Sequence, residues 1–312
     1  MVLDIVMPFY GRFDHFEIAV KSVLQQSSGD WRLIIVDDQY PDEVPALWAQ
    51  SIDDHRVSYV RNETNLGVSG NFRKCADLMT SEFGVVMGCD DVIRPRFVER
   101  VHELLQEFPS ASIVQPGVDV IDSSGAPSRP LADRVKAVYR GRVSGPATRS
   151  GEHLATSLIR GNWAYFPSVV WRVSEIQRIG FRQDLHVVQD LAMLLEITLN
   201  GGELIVDDEV VFDYRRHSES VSAIAGPDGS KFVEERTLLS EVAVKLDELG
   251  WHRAARAARR YWSSRLHALT DYPAALRKSS KASRRILTRH ILGMAYPAAA
   301  QDREENSGQR LV

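Results

Sequence analysis

The chain has very little cysteine: Cys75 and Cys89 are the two in 312 residues. That excludes a disulfide framework and makes a reducing cytosol the expected compartment. Long hydrophobic runs are also missing. No stretch approaches the roughly 18 consecutive apolar residues that a spanning helix requires. The opening run, MVLDIVMPFYGR, has no basic segment before it and no small-residue cleavage site after it, so it reads as a first strand and not a signal peptide. No G-x-G-x-x-G follows any strand-like run, which disfavours a dinucleotide-dependent oxidoreductase. Acidic residues are scarce in one region. Between Trp251 and Ala300, eleven Lys or Arg face Asp271 alone, in a chain whose net charge is −4. The remainder is therefore strongly acidic, and a basic tail of this kind suits an anionic neighbour, lipid or nucleic acid on charge alone.

What is present is alternation. Val2 to Met7, Trp31 to Val36, Val57 to Val60 and Phe83 to Met87 are short runs of apolar, mostly branched residues. Between them His15 to Gln26, Pro45 to Ser51 and Val68 to Met79 carry apolar residues at helical spacing, and Arg96 to Phe108 follows the fourth run. The pattern predicts parallel strands with helices on both faces of one sheet, and such sheets hold ligands beyond the carboxyl ends of their strands. The polar residues there are Pro8-Phe9-Tyr10, Asp37-Asp38, Arg61-Asn62 and Asp90-Asp91. Further on, Leu131 to Gly151 reads as a mobile loop and Asn162 to Trp171 is rich in aromatic residues. A helix is expected from about Ser174 to Ile179, another over Gln189 to Leu199, and strands over Leu204 to Val206 and Val210 to Tyr214. The remaining helices are expected at Lys231 to Leu249, Arg253 to Leu269 and Pro273 to Leu292.

FGVVMGCDDVIR, residues 83–94, ends a strand on two adjacent carboxylates. Such a pair suits a hard divalent cation, Mg²⁺ or Mn²⁺, which takes oxygen ligands. It equally suits a solvated helix N-terminus, since a helix follows closely. Asp37-Asp38 divides in the same way between a nucleoside contact and a turn. Asp190, opening a helix, is either a general base or a residue stabilising the helix terminus by about 0.3–1 kcal/mol.

MPFYGR, IIVDD, NETNLGVSGNFRKC, MGCDD, RIGFRQDLHVVQDLAMLLEITLNGG and YRRHSESVS occur in this order over about residues 1 to 225. Together they resemble the inverting glycosyltransferases of family 2, which have the GT-A fold. The resemblance implies an α/β GT-A fold with a mainly parallel sheet. Residues 1–115 would be its nucleotide-sugar half, 116–225 its acceptor half, 226–300 a basic helical extension and 301–312 a disordered tail. It implies metal-dependent inverting transfer from a nucleotide-diphosphate sugar, UDP-linked by preference, to a hydroxyl of a glycan, lipid-linked or small-molecule acceptor. Pro8 and Tyr10 would border the base, Asp38 would bind base or ribose, and Asn65 and Gly67 would lie near the donor sugar. Asp90 would bind donor and metal, Mn²⁺ or Mg²⁺, with Asp91 beside it and His217 reaching the metal or diphosphate. Asp190 would be the general base. Gln189 stands where many relatives carry Glu.

Trp163 and Tyr165 would form an acceptor platform, with core packing as the other reading, and Arg215 and Arg216 would touch phosphate, with a surface loop of solvated charges as the equal alternative. Gly88 stands where an Asp-x-Asp motif has its first acid, and its small size would leave room for the donor ribose. No nucleic-acid partner is expected, and a homodimer is one open option. The protein is expected in the cytoplasm. Its C-terminal helices would either lie on the inner face of an anionic membrane or present a solvated face over a packed one. A non-catalytic binder or scaffold of the same fold stays open. So does a nucleotidyltransferase, although PFYGR is a poor triphosphate loop.

Overall fold

The computed structural model describes residues 1–216 and 228–295. Its first four apolar runs are parallel strands: β1 (Leu3–Phe9), β2 (Trp31–Asp37), β3 (Val57–Arg61) and β4 (Phe83–Val86). They are joined in sequence by α1 (Phe13–Leu24), α2 (Val44–Gln50) and α3 (Gly67–Leu78). Ile5, Val6 and Met7 are all fully buried. A parallel strand covered on both faces requires this, and continuous branched runs are its sequence signature.

The second half adds β5 (Val92–Ile93), α4 (Phe97–Glu107), β6 (Ala111–Ile121), α5 (Leu131–Arg140), β7 (Ala147–Arg149) and α6 (Gly151–Gly161). Then come β8 (Val170–Arg172), α7 (Val173–Ile179), α8 (Gln189–Leu199) and β9 (Glu203–Arg215). Among the described residues these complete one nine-stranded sheet in the order β3-β2-β1-β4-β8-β6-β9-β5, with β7 also on β9. β6 and β9 are parallel, whereas β8 is antiparallel to both β4 and β6.

Alternate residues of each strand enter different cores. Val6, Ile34, Val36 and Val86 pack under α3, α6, α7 and α8, while Ile5, Ile35 and Val85 pack under α1 and α4. The result is a three-layer α/β/α arrangement. The expected boundary at residue 115 falls inside β6, so the two halves share one sheet.

Residues 131–151 form no mobile loop: they hold α5 and β7. The two expected strands at 204–214 are one, β9, with a register shift opposite Gly117. Past residue 227 the chain forms α9 (Ser230–Glu248), α10 (His252–Arg260), α11 (Trp262–Lys278) and α12 (Lys281–Leu292). The helix expected from Arg253 to Leu269 breaks at Tyr261, whose φ of 34° is left-handed. Pro273, expected to open a helix, lies inside α11; the next helix starts after Ser280, whose side chain accepts the Ser283 N–H. The C-terminal helices are not merely appended. Leu238, Leu239, Val242, Ala254 and Ala258 belong to the same core as Trp163 and Leu191. Among the described residues no helix is long and apolar enough to cross a membrane.

Candidate functional site

The carboxyl ends of β1, β2, β3 and β4 lie along one sheet edge because the four strands are parallel and adjacent. At the end of β1, Phe9 is buried against Phe16, with ring centroids 4.2 Å apart. Tyr10 is exposed and meets Tyr40 edge-on at 5.4 Å, which leaves ring surface for a planar ligand. Pro8 is partly buried in β1, paired with Val36.

After β2 the two carboxylates do different work. Asp37 is buried and accepts the Tyr40 N–H at 2.8 Å and the Tyr59 hydroxyl. Asp38, also buried, accepts Asn62 Nδ2 and the Leu66 N–H through Oδ1, both at 2.8 Å. It thereby fixes the loop that carries Asn65 and Gly67. Asn65 Oδ1 accepts the Gly67 N–H at 2.8 Å, and Gly67 has a φ of +68°, a turn into α3 that favours glycine.

After β4 the chain turns through Gly88 and Cys89. Asp91 is buried; its Oδ1 accepts the Arg215 main-chain N–H at 2.8 Å, and its Oδ2 is buried without a hydrogen-bond partner. Burial first, and then the charge of Asp90, push the Asp91 carboxyl well above the usual range. A Cβ at position 88 would stand 2.5 Å from Asp91 Oδ2 and 3.0 Å from Asp90 Oδ1. The two carboxylates therefore converge on the space over Gly88, and that convergence is the nearer reason for glycine there, ahead of room for a ribose. Burial and Asp90 push the Cys89 thiol up to about 12, so it stays protonated. An orphaned buried oxygen facing a second carboxylate fits a hard divalent cation, with phosphate oxygens and water completing its shell. Among the described residues no group of three His, Cys, Asp or Glu side chains could hold a metal. His217, expected as a further ligand, lies outside the described residues.

Arg215 is the organiser that sequence reasoning read otherwise. It is buried, and its guanidinium donates to the Asp90 carbonyl at 2.6 Å and the Asp122 carbonyl at 3.0 Å, so it clamps the loop instead of facing solvent phosphate. Arg216 is likewise committed, donating twice to Asp133 at 2.6 and 2.7 Å.

On the other side, Asp190 sits in the first turn of α8, half-buried, accepting the Leu191 N–H at 2.7 Å. Burial raises its carboxyl, while Lys136, the Leu191 N–H, Asn162 and Lys231 pull it down. Asn162 holds a left-handed φ of 36° at the end of α6, and its Oδ1 is buried without a partner. Lys136 lies over the Tyr165 ring at 4.6 Å and is drawn down to about 8 by burial and by Arg216. Ser69, in α3, donates to the Leu185 carbonyl at 3.1 Å and so ties the Asn65–Gly67 side to the segment leading into α8. Lys136, Asn162 and Lys231 were missed as site residues, because only tertiary packing brings them here.

The acceptor platform needs correction. Trp163 is fully buried, with its indole N–H donating to Ser157 Oγ at 3.2 Å, so it is a core residue and offers no face to a ligand. Tyr165 remains half-buried; its hydroxyl donates to Asp133 at 2.9 Å, and both residues line a cavity of about 310 Å³.

A family model described as glycosyl transferase family 2 matches residues 4–173. Succinoglycan biosynthesis protein ExoO of Rhizobium meliloti (strain 1021) is 26% identical over 220 residues, 70% of this chain and 62% of that protein. Among solved structures, S. aureus TarS 1-349 in complex with UDP-GlcNAc superposes with a TM-score of 0.63 at 14% identity, over 95% of this chain and 93% of that one. The mannosyltransferase PcManGT from Pyrobaculum calidifontis, in complex with GDP-Man and Mn²⁺, gives 0.59 at 14% identity, over 99% and 85%. At these identities the likeness is one of fold.

Proposed function

Because the chain belongs to glycosyl transferase family 2 and has the GT-A fold of glycosyltransferases, we propose that it moves a sugar from a nucleotide-diphosphate donor to an acceptor hydroxyl with inversion. The observation that carries this reading is the convergence of Asp90 Oδ1 and the unpartnered Asp91 Oδ2 on the space over Gly88. Two carboxylates at a strand end cannot bind a diphosphate unaided, but they can hold a divalent cation that does. When bound, that cation would neutralise charge developing on the leaving diphosphate.

This chain's own residues would do the rest. Tyr10 would stack on the base, and the loop fixed by Asp38 would bring Asn65 and the Gly67 turn to the donor. Asp190 would accept the proton of the acceptor hydroxyl as that oxygen bonds the anomeric carbon. The bond from that carbon to the diphosphate oxygen breaks on the opposite face, and its electron pair leaves with the diphosphate. UDP is the favoured nucleotide: the TarS structures hold UDP and UDP-GlcNAc, although PcManGT holds GDP-Man with Mn²⁺. The name of ExoO supports a role in polysaccharide biosynthesis.

Thermal shift with nucleoside diphosphates, with and without Mn²⁺, followed by hydrolysis of a panel of nucleotide sugars, tests the reading. Stabilisation by UDP that requires the cation is expected, together with turnover of at least one UDP-sugar. Absence of stabilisation by every diphosphate in the presence of Mn²⁺ would overturn it.

A further inference from the structure

The arginines of this protein usually meet acids. Arg32 pairs with Asp4, Arg94 with Asp213, Arg100 with Asp207 and Arg172 with Glu82. One cavity departs from this. It measures about 330 Å³ and is walled by Arg160 at the end of α6 and by Arg253, Arg256 and Arg260 of α10. Positions 253, 256 and 260 follow the i, i+3, i+7 spacing of one helical face, while Ala254, Ala255 and Ala258 are buried on the other. Among the described residues none of the four guanidinium groups pairs with a carboxylate, although the Arg253 main-chain N–H donates to Glu152 Oε1 at 2.6 Å; the Arg256 guanidinium donates to the His252 carbonyl, at 3.4 Å. Arg259, in the same helix, turns away and pairs with Asp247. Four guanidinium groups around one hollow repel each other unless an anion sits between them, and their forked donors match phosphate oxygens.

The position of the pocket gives it a purpose. Arg160 stands two residues before Asn162, which lies near enough to the Asp190 carboxyl to draw it down. Tyr139, another wall residue, stands one helical turn after Lys136 in α5. Two of the helices that wall the pocket also carry exposed apolar stripes. Trp262, itself a wall residue, begins one in α11 with Leu266 and Leu269, at i, i+4, i+7 spacing and 57%, 60% and 54% exposed. Leu131, Val135 and Val138 of α5, the helix that supplies Tyr139 to the wall, repeat that spacing and are also exposed.

We propose that this pocket binds a phosphate or diphosphate group, the anionic head of a phosphate-linked acceptor, beside the helix end that reaches Asp190. Its role as an acceptor anchor rests on the function proposed above; phosphate binding itself does not. The source is either a lipid phosphate, whose hydrocarbon the exposed apolar stripes would meet, or a soluble phosphorylated glycan.

Calorimetric titration of the full chain with inorganic pyrophosphate in EDTA tests the site, since without a divalent cation Asp90 and Asp91 repel the probe from the donor cleft. Saturable binding is expected in the wild type, weakened at least tenfold in Arg256→Gln/Arg260→Gln and in Arg160→Gln. Stabilisation by UDP with Mn²⁺ should be unchanged in all three proteins, which separates failure of the pocket from failure of the donor site. The Arg160 variant, on a different helix, keeps the test decisive if the double variant does not fold. Absence of pyrophosphate binding in the wild type, or equal affinity in the folded variants, overturns the proposal. Flotation with vesicles of phosphatidylcholine alone or with phosphatidic acid then assigns the source. Binding to the acidic vesicles that pyrophosphate displaces identifies a lipid phosphate. Pyrophosphate binding with no such vesicle binding identifies a soluble phosphorylated acceptor.

Discussion

Asp91 accepts the main-chain N–H of Arg215 through Oδ1 at 2.8 Å and keeps its other oxygen buried, unpartnered, beside Gly88. A buried carboxylate oxygen without a donor, next to the charge of Asp90, destabilises the ligand-free fold. Asparagine at 91 would keep the bond from Arg215 and remove the charge. Asp91→Asn is therefore expected to raise the ligand-free melting temperature by about 2–4 °C, on the order of 1 kcal/mol. The same variant should lose the stabilisation that UDP with Mn²⁺ gives the wild type. Retention of that stabilisation would remove Asp91 from the donor site.

Gly88 is held by its neighbours' carboxylates. A methyl at this position would approach Asp91 Oδ2 to 2.5 Å, so Gly88→Ala must displace the carboxylate from the Arg215 N–H or move the loop. A cost of about 1–3 kcal/mol is expected from such overpacking. Nucleotide binding should weaken in parallel, as measured by titration of UDP with Mn²⁺. Unchanged stability and affinity would mean that the loop rearranges freely.

The strands that build the donor edge were legible because burial on both faces forces continuous branched runs. The acids at 37, 38, 90 and 91 were legible as candidates by their place after such runs, although the residues alone left a turn or a solvated helix terminus open, and Asp37 does hold the turn at Tyr40. Helix α5 was not, since its pattern is inverted: Asp133 is buried while Val138 is 76% exposed. Polarity therefore pointed to a loop. Strands of two or three residues, β5 and β8, exist through partners far away in sequence and carry no periodicity of their own. The aromatic run at 162–171 showed rings but not which of them is covered, and Trp163 proved to be core. The break at Tyr261 has neither glycine nor proline to announce it.

Helix α9 reaches into the site through Glu234, whose Oε2 accepts the N–H groups of His186 and Val187 at 2.9 and 2.8 Å. These residues lead directly into α8 and Asp190. Glu234→Ala should cost about 1–3 kcal/mol for the abandoned donors. It should also lower the transfer rate about tenfold with the donor KM unchanged, because Asp190, the proposed base, loses its footing while the donor cleft is intact. Glutamine, whose carbonyl oxygen accepts the same bonds, should restore the rate. Equal losses in Glu234→Gln and Glu234→Ala would show that the charge, and not the hydrogen bonds, matters.

Acid pH should act on the C-terminal helices through two histidines. Burial draws His290 down to about 4, with Arg236 and Arg265 adding to the shift; burial and Lys231 draw His267 down to about 3. A histidine depressed in the folded state adds nothing above its unfolded value near 6.5. Below it, the unfolded chain takes up the proton first, and stability falls as pH drops toward the folded value. Glu235 and Asp271, raised by burial, act with the opposite sign and blunt the net effect. The clean readout is therefore the imidazole itself. His290, fully buried, should not titrate by NMR between pH 7.5 and 5.5, and a midpoint near 6.5 would contradict its burial.

Asp190 is tuned by opposing influences, burial raising its carboxyl and the cations Lys136 and Lys231 lowering it. Asp190→Asn keeps an oxygen for the Leu191 N–H, so it should fold and bind UDP with Mn²⁺ like the wild type. Transfer should drop by about 10²–10⁴-fold, the range for a lost general base. Near-wild-type turnover would exclude that role. Lys136→Met tests the tuning separately. Removing a nearby positive charge raises a carboxylate's pKa, so the acid limb of the kcat/KM profile should move to higher pH. Activity at pH 6 should then fall more than activity at pH 8. An acid limb that stays in place in a folded, UDP-binding variant would show that Lys136 does not tune the base. The loss of its ammonium contact with the Ala164 carbonyl, 3.1 Å in the wild type, would then be the whole effect.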